Sequence, residues 1–475
     1  MDFTASNTDL WQGIIQLGFL CSVVLIGNLL RRKIKPLRLS LLPTAVIGGF
    51  IALIIRQMGW LPFDKTFLES ITYHMTGIGF IALGLRAPAR SERTRSKALA
   101  RDGVNSGAFI VSNYLIQGII GIVVMVVLSI TFLPDLFKAG GLILPMGFGQ
   151  GPGQAFNVGN TYEQAFGFTG GASFGLAVAT MGMLWASIGG IIYLNVLARQ
   201  KKKSVGHDEQ LHIDRIQEPV ADQNEIPLTE AVDKFTIQVS LVMLVYLATY
   251  LTAYGLSSLL SNTPSLAGIS KTLIPLIWGF NFLIGSSLAL GLRGILAGLR
   301  RTGLMHRKYT NNYMLNRISG SAFDLMITAS ICAIDIEDLK NLWVPFLIMT
   351  SIGGLVTLFY IKWMAKKLYP DYYLEGMLAM YGMMTGTVST GILLLREVDP
   401  AFHTPASNNL VIGSSMAIIL GFPMLLMIGL APQSNMMLLI TIAICIVYAA
   451  LLIWFMLRNR PGRPTKKQVE QTIKQ

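Results

Sequence analysis

The sequence predicts an all-α integral membrane protein: two inverted repeats of five transmembrane helices, each with a Gly-rich re-entrant hairpin, plus an extra C-terminal transmembrane helix. Three observations carry that expectation. Of 475 residues, 52% are hydrophobic and 13% charged, with mean hydropathy +0.55, whereas a soluble domain carries about a quarter charged residues. Lys and Arg gather in short connections between apolar runs, and a Gly-rich stretch near residue 150 returns near residue 385.

About 20 apolar residues span a bilayer core of about 30 Å as helix. Leu10–Leu30, Ser106–Leu133, Gly170–Ala198, Phe235–Leu260 and Met436–Leu457 qualify outright. They read as helices and not barrel strands, because they lack period-2 alternation. The net charge of +13 would suit nucleic acid only if it formed a face; confined to loops, it reads as the positive-inside signature. Cys21, Cys332 and Cys445 all fall in apolar runs and read as small hydrophobes. Residues 1–9 lack a basic n-region, so the first span is expected to be retained.

The basic clusters orient the chain. Arg31–Lys33 with Lys35 and Arg38 place the end of span 1 in the cytoplasm and the N-terminus outside. Span 2 (about Leu39–Ile55) runs outward, and span 3 (about Leu68–Leu85) returns to Arg86, Arg90, Arg93, Arg95 and Lys97. Span 4 leads out to Pro134-Asp135, and span 5 returns to Arg199 and Lys201–Lys203. The apolar stretch between them must start and end outside, which makes it a re-entrant hairpin at 139–157. Residues 1–198 thus form the first repeat, and 199–234, with mixed charge and two prolines, a cytoplasmic linker.

The second repeat, 235–432, has the opposite orientation. Span 6 runs out, and span 7 (about Thr272–Leu292) returns to Arg293, Arg300, Arg301, Arg307 and Lys308. Span 8 (about Ile318–Ile334) leads to the acidic cluster Asp335, Glu337 and Asp338, and span 9 returns to Lys362, Lys366 and Lys367. A second irregular stretch, 373–395, starts inside, and span 10 (about Ala406–Leu430) runs out. The remainder, 433–475, is an eleventh span and a basic cytoplasmic tail. Inverted repeats with interrupted segments are the architecture of secondary transporters.

The interrupted segments are the candidate site. The first contains Gly147-x-Gly149-Gln150-Gly151-x-Gly153 with Pro145 and Pro152; Gly leaves the backbone bare and Pro removes a donor. Bare backbone cannot face lipid and must line a polar cavity or be buried in protein. Its carbonyls can hold a cation and its half-helix N-termini a carboxylate. At one constant offset along the chain, Gly147 and Gly151 match Gly382 and Gly386, and Thr169 matches Thr404. The second segment adds hydroxyls at Thr385, Thr387, Ser389 and Thr390. Close helix packing would suffice for Gly189 and Gly190, but not for this repeated pattern. Asp324 lies in the middle of span 8, where a carboxylate needs a cation, a proton or donor groups; it is the candidate Na+ ligand, with Ser319, Ser321 and Thr328 nearby. His74, roughly equivalent in span 3, reads as a packing residue. Asn113, Gln117 and Asn281 read as interhelical hydrogen-bonding groups.

At these motifs the chain resembles the glutamate:sodium symporter family, over about residues 10–432. The resemblance rests on Leu42-Pro-Thr-Ala-Val-Ile-Gly-Gly49, on the first Gly-rich loop with the following Tyr162-Glu-x-x-Phe-Gly-Phe-Thr169, and on the second loop. It implies two inverted five-helix repeats with re-entrant loops from opposite faces, and Na+-driven glutamate uptake across the bacterial inner membrane. Gln150 stands where some members have His, and Pro152 where they have Thr. Met384 replaces a Gly and Ser389 a Pro, while Gly382, Gly386 and Thr390 remain. Asp324 stands where a small polar residue is expected, and span 11 has no counterpart in the shorter members.

The leading expectation is therefore a symporter of glutamate or a similar acidic solute, with Na+ as coupling ion and no cofactor. The alternatives are another organic anion, or H+ coupling through Asp324. A channel is disfavoured because the irregular segments enter from opposite faces. A membrane enzyme is disfavoured because five His and few intramembrane acids form no catalytic set. The expected partners are the lipid bilayer, the solute and Na+, without nucleic acid, and a homodimer is left open.

Overall fold

A computed structural model describes residues 8–60, 63–86, 97–201, 233–263, 267–305, 307–399 and 404–459. Most of the expected linker (202–232) and the tail from residue 460 lie outside the described residues, as do Arg90, Arg93 and Arg95. Among the described residues the fold is helical, with no strand.

The chain opens with α1 (Thr8–Lys33), a short α2 (Lys35–Leu39), α3 (Thr44–Gln57), α4 (Lys65–Leu85) and α5 (Lys97–Thr131). A run of tight turns follows: a 3-10 turn Lys138–Leu142, α6 (Ile143–Pro145) and a π turn Met146–Gln150. Then come α7 (Pro152–Phe166), α8 (Gly171–Leu184), a π turn Trp185–Gly189 and α9 (Gly190–Lys201). After the linker the helices are α10 (Lys234–Asn262), α11 (Ala267–Gly279), α12 (Asn281–Arg301), α13 (Asn312–Ala333) and α14 (Trp343–Leu368). The chain closes with α15 (Tyr373–Thr385), α16 (Val388–Arg396), α17 (Ala406–Leu430) and α18 (Asn435–Arg458).

Eight helical stretches among the described residues are long and apolar enough to cross a membrane: Trp11–Lys33, Asp102–Thr131, Gly171–Leu194, Lys234–Asn262, Asn281–Arg301, Trp343–Leu368, Ile412–Gln433 and Asn435–Arg458. The other three expected spans are α3, apolar but short, and α4 and α13. Lys65, Glu69 and His74 dilute α4, as Asn312, Asn316, Arg317 and Asp324 dilute α13. Two boundaries differ from expectation. Span 2 begins at Thr44, because Pro43 sits at the helix cap and Leu41 turns with φ 54°. Span 7 is two helices, with Pro275 inside the first and the junction at Phe280. The first irregular segment also extends past 157, with α7 continuing to Phe166.

The helices gather into two compact units, each drawing on both halves of the sequence. One takes α1–α4, α7, α8 as far as Met181, and α10 through the start of α14 at Phe346. The other takes α5, the tight turns up to Gly149, the chain from Gly182 through α9, and everything after Leu347.

In the first unit α4 packs on α12 and α13, and α3 on α1 and α13. Its core joins Ile81, Ala82 and Leu85 with Val242, Val245, Ala289 and Leu315. A Cβ on Gly27 would stand 2.7 Å from the Thr44 carbonyl oxygen, and one on Gly48 2.8 Å from that of Val23. Helices α1 and α3 therefore meet backbone to backbone, as small residues permit in membranes. At one end of this unit Lys65 pairs with Asp338 at 2.6 Å, and the Ser173 hydroxyl donates to Asp338 at 2.9 Å. Arg56 donates to the Cys332 and Ile334 carbonyls there, at 2.9 and 3.3 Å. His74 meets the Tyr246 hydroxyl and crosses its ring edge-on, which makes it a packing contact between α4 and α10.

In the second unit α5 packs on α17, α18 and the 3-10 turn. A Cβ on Gly121 would overlap the Gly141 carbonyl, so α5 holds the first irregular segment at backbone distance. Ser112 and Ser106 exchange hydrogen bonds with the Tyr360 and Tyr369 hydroxyls at 2.6 and 2.8 Å. Helices α15 and α16 fold onto each other where a Cβ on Gly382 would lie 2.7 Å from the Gly391 Cα.

Candidate functional site

Both Gly-rich segments are helices interrupted by a glycine. The tight turns Lys138–Gln150 end at Gly151, whose φ of 95° lies in the left-handed region. With ψ at −178° this is a backbone region used essentially by glycine alone, at a cost of about 1–3 kcal/mol for a residue with a side chain. Pro152 then occupies the first helical position of α7, where a missing donor costs nothing and φ is pre-set. The second interruption falls at the matching glycine of the later segment: α15 stops at Thr385, Gly386 carries the break, and Thr387 caps α16 by accepting from the Thr390 amide at 3.4 Å.

Within the first unit, Gly153 stands where a Cβ would collide with the Thr76 hydroxyl of α4. Thr76 in turn reaches the Met326 sulfur of α13 at 3.1 Å. A Cβ on Gly279, at the end of α11, would lie 2.9 Å from the Thr161 hydroxyl of α7. Helix α7 thus packs between α4, α11 and α13, with close contacts at Gly153 and at Thr161 that need small residues. Gln154 and Asn157, one turn apart on α7, are 1% and 2% exposed, and neither amide has a hydrogen-bond partner. Asn281 at the start of α12 also keeps a buried, unpartnered oxygen. Each such orphaned group costs about 1–3 kcal/mol, so the cluster is arranged for something other than stability.

Within the second unit, Gly149 packs against the Tyr114 ring, whose hydroxyl donates to the Gly149 carbonyl at 3.0 Å. A Cβ on Gly182 would lie 2.5 Å from the Thr385 carbonyl oxygen and 2.9 Å from Phe148 Cδ1. The end of α15 and the π turn of the first segment therefore meet across this one glycine. A Cβ on Gly386 would lie 3.1 Å from Ala186 in the second π turn, and Tyr381 donates to the Trp185 carbonyl there at 2.9 Å. Both π turns thus border the site, as such turns often do. On α5, Gln117 donates to the Met384 carbonyl at 3.0 Å and to the Thr357 hydroxyl at 2.9 Å.

Of the residues expected at the site, Gly147, Gly149, Gln150, Gly151 and Gly153 form the first break, and Gly382, Thr385, Gly386, Thr387 and Thr390 the second. The expected hydroxyls are hydrogen-bonded locally: Thr385 donates to the Tyr381 carbonyl at 2.7 Å, and Thr387 and Thr390 bond to each other at 3.2 Å, which uses their protons and leaves oxygen lone pairs to accept. The Ser389 side chain lies outside the described residues. Thr169 is not brought to the break: it stands in the exposed turn after α7, about 20 Å along the helix from Gly151. Asp324 lies on the exposed face of α13, about 200° around the helix from Met326 and so away from the Gly153 contact. Arg317, Gly320 and Ser321 share that exposed face. A stripe of this polarity against lipid would cost several kcal/mol, so it belongs against protein or a polar cavity. Of the three neighbours expected beside Asp324, Ser319 is buried, Ser321 exposed, and Thr328 donates to the Asp324 backbone carbonyl.

Sequence reasoning passed over Gln154 and Asn157, and read Asn113, Gln117 and Asn281 as structural. The available signal was position: two amides follow Gly153 within one helical turn. No group of three or more His, Cys, Asp or Glu that could hold a metal occurs among the described residues, so the donors on offer are neutral amides, hydroxyls and carbonyls.

The sodium/glutamate symporter family model matches residues 12–266, more than half of the chain. The protein belongs to the sodium/glutamate symporter family. The match takes in the first break, α4, α7 and α10; α11, α13 and the second break lie beyond it. A family of this kind carries solutes across membranes and does not catalyse reactions, so this symporter-family chain is a multi-pass membrane transporter. No curated protein matches it.

Proposed function

We propose that the protein is a Na+-coupled symporter of glutamate or a similar acidic solute, residing in a bacterial inner membrane and working by alternating access between two inverted repeats. One observation carries this reading: the helix interruptions at Gly151 and Gly386 stand in register over their surroundings. At the offset that superposes these two glycines, Lys138–Gln150 corresponds to α15 (Tyr373–Thr385), and the first residue of α8, Gly171, to the first of α17, Ala406. Equivalent elements gather in part, α1–α4 with α10–α13 in one compact unit and α5 with α14 in the other, whereas α7 and the start of α8 fall in a different unit from α16 and α17. Repeats of opposite orientation bring their interruptions in from opposite faces, and rocking between two such states moves the site across the membrane. Half-helix N-termini, as at α7 and α16, favour carboxylates, while helix C-termini and bare carbonyls favour the cation.

The polar stripe at Arg317, Ser321 and Asp324 favours a second reading, in which Asp324 carries a proton or completes a cation site. Uptake of labelled glutamate into proteoliposomes tests both. Accumulation under an inward Na+ gradient, absent with K+, is the expected result. Accumulation driven by a pH gradient with no Na+ requirement would move the coupling to H+, and uptake of a different anion alone would overturn the substrate.

A further inference from the structure

We infer that Asn113 and Gln117 on α5, beside the carbonyl end of α15, form a binding site for a monovalent cation. This rests on the reading of the protein as cation-coupled. Gln117 is 1% exposed, and its Nε2 donates to both the Met384 carbonyl and the Thr357 hydroxyl. A carbonyl only accepts, so the amide orientation is fixed by chemistry and Oε1 must face the other way. That oxygen is buried and has no hydrogen-bond donor. One helical turn earlier on the same face, Asn113 is 0% exposed and both its amide atoms are buried without partners. Two orphaned amides in succession on one buried helix face are not a packing solution, since apolar residues would fill that space at no polar cost.

The surroundings select a cation over an anion. Gln117 presents only an acceptor. Helix α15 ends on the Nε2 side of Gln117, and by taking a proton of that amide it holds Oε1 as the free acceptor. The Thr385 carbonyl at that end lies beside Phe148 across Gly182. Charge selects a monovalent ion: amide, carbonyl and hydroxyl oxygens suit a hard cation, and no carboxylate cluster among the described residues offsets a second charge. The position couples ion to transport, because Gln117 touches the last turn before the Gly386 break. An ion here would favour one arrangement of that break over another.

The test uses the purified full-length chain without solute, following thermal unfolding as NaCl replaces choline chloride at constant ionic strength. The parent is expected to be stabilised by Na+ with a saturable midpoint. Asn113→Leu, which sacrifices no hydrogen bond, should raise that midpoint roughly tenfold or abolish it, and Gln117→Leu should do the same. Asn113→Asp keeps the oxygen and adds charge, so the response should persist. If Asn113→Leu instead shifts unfolding equally in Na+ and in choline, leaving the midpoint at the parent value, the pocket holds water and the site is overturned while Na+ coupling stands. If the parent shows no Na+ response, the site is overturned; the Na+-gradient dependence of glutamate uptake, measured separately, decides whether the coupling stands.

Discussion

The two helix interruptions solve the same problem with different chemistry. At Gly151 the chain uses a left-handed glycine and a proline at the next position, and the helix that follows leaves Gln154 and Asn157 buried and unsatisfied. At Gly386 the chain uses hydroxyls: Thr387 caps α16, Thr390 bonds to Thr387, and Thr385 is tied to its own helix. The first break is rigid in its backbone and open in its side chains, whereas the second is closed in its side chains. Ligand capacity therefore does not follow the count of polar residues. Among the described side chains, the segment richer in hydroxyls has committed their protons locally, and the polar atoms without any partner sit on amides that look incidental in sequence.

The largest expected effect would break this contrast most directly. Gly151→Ala must hold a Cβ at φ 95°, whereas Gly386→Ala meets three atoms at 3.1 Å without a left-handed backbone. Glutamate uptake should be lost in the first, by about a hundredfold or more, and lowered several-fold in the second, with both chains inserted normally. Equal losses in the two would show that both glycines act through crowding alone. Next in size, Asn157→Leu should lower uptake strongly while leaving thermal stability equal or higher, because it removes orphaned polar atoms. Thr385→Val loses only an intrahelical bond and should transport within a few-fold of the parent. A Thr385→Val variant more damaged than Asn157→Leu would reverse the assignment of ligand capacity.

A smaller effect attaches to Asp324, which belongs to neither break. As a Na+ ligand, Asp324→Asn should shift the Na+ dependence of uptake; as a proton carrier, it should flatten the dependence on external pH. Parallel curves in both titrations would leave the α13 stripe a packing surface.

How much of this was legible in the sequence follows from which forces act locally. The apolar runs set the long helices, since length and composition alone decide what crosses a bilayer, and Gly with Pro at the first irregular stretch and Gly alone at the second pointed to the segments in which the helices are interrupted. The register that relates Gly151 to Gly386 was visible as glycine spacing. The gathering of α1–α4 with α10–α13 was not, because such pairings are decided by close approaches between remote positions, such as Gly79 against Phe323 and Gly49 against Ile331. The amides escaped for a related reason. Gln117 does make interhelical bonds, as a polar residue in a span is expected to, and only the geometry of those bonds leaves its oxygen free. Asp324 was conspicuous through its charge, yet charge says nothing about the face a helix presents.

The smallest effect lies at the far end of α7, past Thr169, and serves as a control for both breaks. Burial alone would push the Asp338 carboxyl up, but the Lys65 ammonium and Ser173 hydroxyl outweigh it and hold the group below its ordinary value of 3.8. A carboxyl with a lowered folded-state value stabilises the fold above its unfolded value and loses that contribution as pH falls through the folded one. The pair is about one-third exposed, so screening should keep the contribution below about 1 kcal/mol. Asp338→Asn should therefore unfold slightly earlier than the parent near neutral pH. The gap should close as pH drops below about 4, where protonation makes the parent resemble the variant. Uptake at neutral pH should be unchanged, because Asp338 anchors the turn after α7 and touches neither interruption. A large transport defect in Asp338→Asn with parent-like stability would mean that the far end of α7 moves during the cycle, and that the difference between the two breaks is transmitted along this helix.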